Sequence, residues 1–398
     1  MISSRSPKHV IRLAIALIAL MSWTVSAAAF ETKATSAFVI DQSTGTVLLN
    51  KNADLPLPPA SMSKLMTLYM AFEAIRRGKS DGGLDLNEEL PVSEHAQSFG
   101  GSSMFLRSGE SVSVEDLIRG IIVLSGNDSC VVIAEALSPD GTEAGFARLM
   151  TQRAQQMGMT NSTFTNSSGW PAPGHLMSMR DLALLAHRLI VDFPEYYPLF
   201  AETEFAFDNR VPSNRLNRNP LLTMGIGADG LKTGHTEAAG YGLTGSAKQG
   251  DRRIIFVLSG MESIADRASE AQAVVNWAFR QFAMRPLATE GQEFARADVW
   301  MGAEPTVGLV APEDVSVLMP ALAERSFEGE VIFSGPVEAP IAKGDQLAEL
   351  VFTLDGLPET RLPLVADRDI PSGGFVSRMT TAAMVLFNQL IAGPEGAT

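Results

Sequence analysis

The sequence predicts an α+β protein: one antiparallel sheet carrying helices and a helical subdomain, then a small all-β domain and a C-terminal amphipathic helix. Three observations carry that expectation. Apolar runs with strand character stand at both ends of residues 34–282, with helical periodicity between them. From Pro286 the pattern becomes short strand-like runs broken by Gly and Pro. After residue 372 the apolar residues return to helical spacing. At 398 residues the chain can hold more than one domain, and 45% hydrophobic against 19% charged residues suits a globular protein. A formal net charge of −14 argues against nucleic acid as a partner, since phosphate binding needs a basic footprint.

The first segment reads as an export signal. Arg5, Lys8 and Arg12 precede an apolar run over residues 13–21, and Ala27-Ala28-Ala29 offers a cleavage site, so residues 1–29 are expected to be removed. Cys130 is the only cysteine; it continues the apolar pattern of Val131, Val132 and Ile133 and is expected to be a buried small hydrophobe. Residues 37–40 and 46–49, around Asp41-Gln42-Ser43-Thr44-Gly45, read as a β-hairpin. Pro56, Pro58 and Pro59 then lead irregularly into a helix over residues 61–77, stopped by Gly78. Residues 78–110 are loop-rich. Helical patterns follow over residues 114–123, 129–137, 143–157 and 178–191, the last capped by Ser178. Residues 161–175, rich in Asn, Ser, Gly and Pro, should form an ordered loop.

Strand character returns at residues 231–235. Residues 241–247 and 253–258 flank Gln249-Gly250-Asp251 as a hairpin, and residues 267–282 read as a helix. The simplest closure pairs the first and last strands of residues 30–285 in one sheet. Residues 286–372 form the expected β-rich domain. In the tail, residues 373–398, Arg378 is the only charge between residues 375 and 391; this stretch is short for a span but suits a helix lying in a bilayer interface.

The chemistry centres on Ala60-Ser61-Met62-Ser63-Lys64. Residues i and i+3 share a helix face, so Lys64 can reach Ser61, while Ser63 points off that face towards packing or solvent. A serine hydroxyl needs a base, and a lysine serves only if burial or another cation keeps it partly neutral. Lys232, in Lys232-Thr233-Gly234, is expected to supply that second charge. Ser125 can pass a proton between a lysine and a leaving amine, and the Asn127 amide can orient Lys64 and hold a substrate carbonyl. Gly234 is expected to leave room for substrate backbone along a strand edge, with the backbone N–H groups of Ser61 and His235 forming an oxyanion hole.

Serine-x-x-lysine, serine-x-asparagine and lysine-threonine-glycine are weak alone and strong together in this order. With Gly101-Ser102-Ser103-Met104-Phe105-Leu106, Leu216-Asn217-Arg218-Asn219 and Asp229-Gly230-Leu231-Lys232-Thr233-Gly234-His235-Thr236, the chain resembles the low-molecular-mass penicillin-binding proteins, the D-alanyl-D-alanine carboxypeptidases. That resemblance covers residues 34–282 and implies the penicilloyl-serine transferase, β-lactamase-like fold. It implies a peptidoglycan stem peptide as substrate, Ser61 attacking the carbonyl between the last two D-alanines, and β-lactams acylating the same serine. It makes Lys64 the base, puts Ser125 and Asn127 in the second motif, and makes Lys232 substrate-binding, with Thr233, Arg218 and Arg267 as candidates for the terminal carboxylate. It calls for no metal and no cofactor. It also implies a periplasmic protein attached through its C-terminal helix to the outer face of the inner membrane. The stretch 96–100 is shorter than the family's loop, which bears on substrate preference.

Rival readings fit less well. A class A β-lactamase needs a glutamate-bearing deacylation loop between the second and third motifs, and Glu195 and Glu204 lack that context. A non-catalytic sensor would not need the serine and both lysines. Gly78-Lys79-Ser80-Asp81-Gly82 matches a nucleophile-elbow pattern but follows a helix end, as a solvent loop would. The histidines show no metal-ligand spacing; His235 is expected to contribute its backbone, and His95, His175 and His187 to be surface or packing residues.

Overall fold

Strand pairing closes residues 36–261 on themselves. In the computed structural model, which describes residues 30–321, 329–352 and 359–374, β1 (Ser36–Asp41) and β2 (Thr46–Lys51) form the first hairpin. β5 (Ala228–Thr236), β6 (Gly240–Gln249) and β7 (Arg252–Met261) return late in the chain, and β1 pairs antiparallel with β7. The order β2-β1-β7-β6-β5 makes β5 an edge strand. The expected pairing of first and last strands is therefore present.

Period-two alternation gives this sheet two buried faces. Ala37, Val39, Ile254, Phe256 and Leu258 face α7 (Ile264–Gln281), which returns Ala271, Val274, Val275 and Ala278. Phe38, Ile255, Val257 and Leu231 face the helical block. At the centre of that block lies α1 (Lys64–Arg77), which buries Leu65, Met66, Leu68, Tyr69 and Phe72. It is packed by α4 (Asn127–Leu137), α5 (Glu143–Gln156) and α6 (Met179–Asp192). A short hairpin, β3 (Glu89–Pro91) and β4 (Ser111–Ser113), with α2 (Glu94–Ser98) and α3 (Val114–Arg119), completes it.

Two local departures from the expected helices matter for the site. Residues Ala60–Ser63 are a 3₁₀ turn, so the α-helix begins at Lys64 and not at Ser61. Residues after Arg119 widen into a π-type turn, Gly120–Leu124, which ends on Ser125 in a left-handed conformation, φ 62°. Such turns collect at functional sites, and a non-glycine residue held there stores strain.

α7 runs directly into β8 (Phe282–Ala288), so the change of pattern at Pro286 falls inside a strand. Beyond it lie β9 (Glu293–Trp300), β10 (Thr306–Val310), β11 (Val315–Pro320), β12 (Gly329–Phe333), β13 (Val337–Glu338), β14 (Gln346–Phe352) and β15 (Thr360–Ala366). They form a six-stranded sheet, β12-β14-β15-β10-β9-β13, and a β11-β8 pair around their own core of Val299, Leu309, Leu350, Leu364 and Ile370. Among the described residues no helix is long and apolar enough to cross a membrane. The export segment and the C-terminal helix lie outside the described residues.

Candidate active site

The 3₁₀ turn at the head of α1 eclipses residues three apart, and it brings Lys64 Nζ to 2.9 Å from Ser61 Oγ. Lys64 is fully buried, whereas Ser61 keeps partial exposure. The ammonium group also meets Asn127 Oδ1 at 2.7 Å and the Ser168 carbonyl at 2.6 Å, and among the described residues no carboxylate bonds to it. Burial pulls its pKa down from 10.5 to about 8, and the Arg218 charge pulls the same way.

Lys232 is buried on β5 and donates to Ser125 Oγ at 2.9 Å and to the Thr233 carbonyl at 3.1 Å. Its pKa lies well below the usual lysine range, through burial first and then the charges of Lys64 and Arg218. Desolvation acts first on both lysines; the expected repulsion between the two adds to it at Lys232, and the Arg218 charge adds to it at Lys64.

Asn127 accepts from Lys64 through Oδ1 and donates one N–H to the Gly100 carbonyl at 2.8 Å, which places the amide against Lys64. Its neighbour Asp128 is a clamp that the sequence did not single out. That buried carboxylate accepts from Ser103 Oγ, Met104 N, Leu106 N and Ser129 N, and so holds the 100–106 loop against α4. The 161–175 loop is ordered as expected, around Asn166 Oδ1, which accepts from the backbone of Ser168, Gly169 and Trp170. Its contribution of the Ser168 carbonyl to Lys64 had no side-chain signature to reveal it.

Gly234 needs a correction. A side chain there would meet Pro59 O at 3.0 Å, Met62 Cγ at 3.1 Å and Ala60 Cβ at 3.2 Å. The missing side chain therefore makes room for the serine-bearing turn. Its cross-strand partner Gly242 receives the Met62 methyl in the same way, so the two glycines form one seat for Met62. β5 remains an edge strand and packs against the serine-bearing turn.

Arg218 reaches Ser102 Oγ at 2.6 Å and the Leu124 carbonyl at 3.2 Å. Arg267, buried in the first turn of α7, donates to the Arg218 carbonyl and lies over the Tyr241 ring, while its Nε has no partner. Among the described residues neither arginine has an ion-pair partner. Burial lowers the Arg267 pKa. A chain of net charge −14 thus gathers Lys64, Arg218 and Arg267 close enough to act on Lys232, beside the buried Thr233. The His235 ring is exposed and stacks on Tyr241 with ring centroids 3.8 Å apart. A cleft of about 320 Å³, lined by Pro58, Pro59, Ala60, Trp170 and Thr236, adjoins the turn.

The rival motifs are placed elsewhere. Glu195 pairs with Arg76 and Glu204 with Arg215 at the surface, and Lys79–Asp81 is an exposed turn. Cys130 is buried, and burial pushes its thiol up to about 12.

A serine met by a buried lysine, on an antiparallel sheet flanked by helices, is the form of a serine hydrolase with lysine where others use histidine. A family model described as D-alanyl-D-alanine carboxypeptidase matches residues 22–263, and one described as penicillin-binding protein 5, C-terminal domain, matches residues 282–372. The D-alanyl-D-alanine carboxypeptidase DacC of Escherichia coli is 36% identical over 88% of this chain and 88% of its own. DacF of Bacillus subtilis is 33% identical over 87% and 88%. Penicillin-binding protein 5 from Haemophilus influenzae superposes with a TM-score of 0.71 at 31% identity, over 86% of this chain and 99% of that one. The chain belongs to the D-alanyl-D-alanine carboxypeptidase family and is a serine-type peptidase.

Proposed function

We propose that this protein removes the terminal D-alanine from peptidoglycan stem pentapeptides through an acyl-enzyme on Ser61. The observation that carries the reading is the 2.9 Å contact between Ser61 and a fully buried Lys64 whose pKa has fallen to about 8. Neutral Lys64 takes the hydroxyl proton as Ser61 attacks the carbonyl between the two D-alanines. The backbone N–H groups of Ser61 and His235 receive the oxyanion. The proton reaches the leaving amine through the Lys64, Ser125 and Lys232 cluster, D-alanine departs, and water hydrolyses the ester. The terminal carboxylate lies against Arg267, Arg218 and Thr233, which supplies the anion those unpaired guanidinium groups lack. The peptide backbone adds to the free edge of β5, with the remaining Asn127 N–H on a carbonyl. A β-lactam enters by the same attack and stays on Ser61.

The same reading puts the protein outside the cytoplasmic membrane, exported by residues 1–29 and held to the outer face of the inner membrane by residues 375–391. Free D-alanine released from a pentapeptide tests the activity. Wild type releases it and Ser61→Ala does not; undiminished release by Ser61→Ala overturns the reading.

A further inference from the structure

Ser63 stands between the serine and the lysine of the turn, fully buried, and makes no capping bond to α1. Its Oγ lies 2.7 Å from His175 Nε2. The other ring nitrogen, Nδ1, accepts the Thr165 backbone N–H at 3.2 Å. A neutral imidazole that accepts at Nδ1 carries its proton on Nε2, so His175 donates and Ser63 accepts. Burial, and then the Lys64 charge, lower the His175 pKa to about 4, which keeps the ring neutral at working pH. This direction excludes a second serine–histidine nucleophile, because His175 has no lone pair facing Ser63.

The bond instead closes a ring around the first turn of α1. Ser63 is tied to His175, and His175 to Thr165. The next residue, Asn166, gathers the backbone of Ser168, Gly169 and Trp170, and the Ser168 carbonyl returns to Lys64. The two segments interlock closely, since a side chain on Gly169 would lie 2.0 Å from the Ala60 carbonyl oxygen. We propose that His175 is a positioning residue: it latches the 161–175 loop to the catalytic turn through Ser63, and so keeps the Ser168 carbonyl on Lys64 and water away from it. The proposal rests on Lys64 being the base of the reaction.

The latch acts on how easily Lys64 loses its proton. The groups facing Lys64 are Asp128 and Cys130 from α4, Glu143 from α5, Lys232 from β5, and Arg218 and His175 from loops. Desolvation is the largest cause of its low pKa, so releasing the loop admits water and raises it. The test is the pH profile of kcat/KM for D-alanine release by wild type, His175→Ala, His175→Gln, Ser63→Ala and the His175→Ala/Ser63→Ala pair. We expect His175→Ala and Ser63→Ala each to lose about tenfold and to move the acid limb up by about one unit. The pair should lose no more than either single change. His175→Gln keeps a donor towards Ser63 and should restore the limb. A His175→Ala protein that melts earlier but keeps its limb overturns the latch, as do additive losses in the pair. Should His175→Ala fail to fold, an unmoved limb in Ser63→Ala overturns it equally. Activity surviving Ser61→Ala would instead count against the underlying mechanism.

Discussion

Lys64 is buried with no carboxylate partner among the described residues, and the cost falls on folding. The unfolded side chain has a pKa of 10.5 and the folded one about 8. Between those values the unfolded chain binds the extra proton, so this residue makes stability rise with pH there. Below pH 8 its full cost, about 3 kcal/mol, is present. Lys64→Met should therefore abolish D-alanine release yet raise the melting temperature at pH 7, and raise it less at pH 10. An equal change at the two pH values in thermal melts would contradict the charge argument. Which side chains gather at the candidate site could be read from the sequence, because Ser61, Lys64, Ser125, Asn127 and Lys232 carry distinctive groups at distinctive spacings. The Ser168 carbonyl and the Ser63–His175 bond could not, since backbone groups have no residue signature and the bond joins residues far apart in the chain.

At the scale of elements, the catalytic turn takes its height above the sheet from the Gly234–Gly242 seat that holds Met62. Lys232-Thr233-Gly234 was recognisable as a motif, but which neighbour required the glycine was not, because the turn and the strand lie about 170 residues apart in sequence. Gly234→Val fills that seat and should lift Ser61 away from Lys64. The expected result is a loss of β-lactam acylation by a factor of 10² or more, with a smaller loss of thermal stability. Acylation at the wild-type rate would show that the seat does not set the position of the serine. The 3₁₀ start of α1 was also hidden, since its sequence carries on the apolar periodicity of the helix that follows.

Across the whole molecule, the sheet closure and the β-rich region that follows it were legible from strand character at the ends of each region and from the change in punctuation after α7. The junction itself was not, because helix and strand meet there without a linker. The tail has a natural cut. Ser372 bridges to Gly302, and Gly373 donates to the Met301 carbonyl, so truncation belongs after Gly374. The truncated protein should be soluble and retain D-alanine release; persistence in the membrane fraction would refute the anchor. The four clustered cations have a further consequence, for ionic strength. On the proposed function, an acidic body should repel an anionic wall polymer over many ångströms, whereas the cation cluster should attract a single carboxylate at short range. Added salt should slow capture of a small soluble pentapeptide but speed attack on large wall fragments. Two salt slopes of opposite sign in kcat/KM would show that the protein meets its substrate's end group and its substrate's bulk through opposing fields.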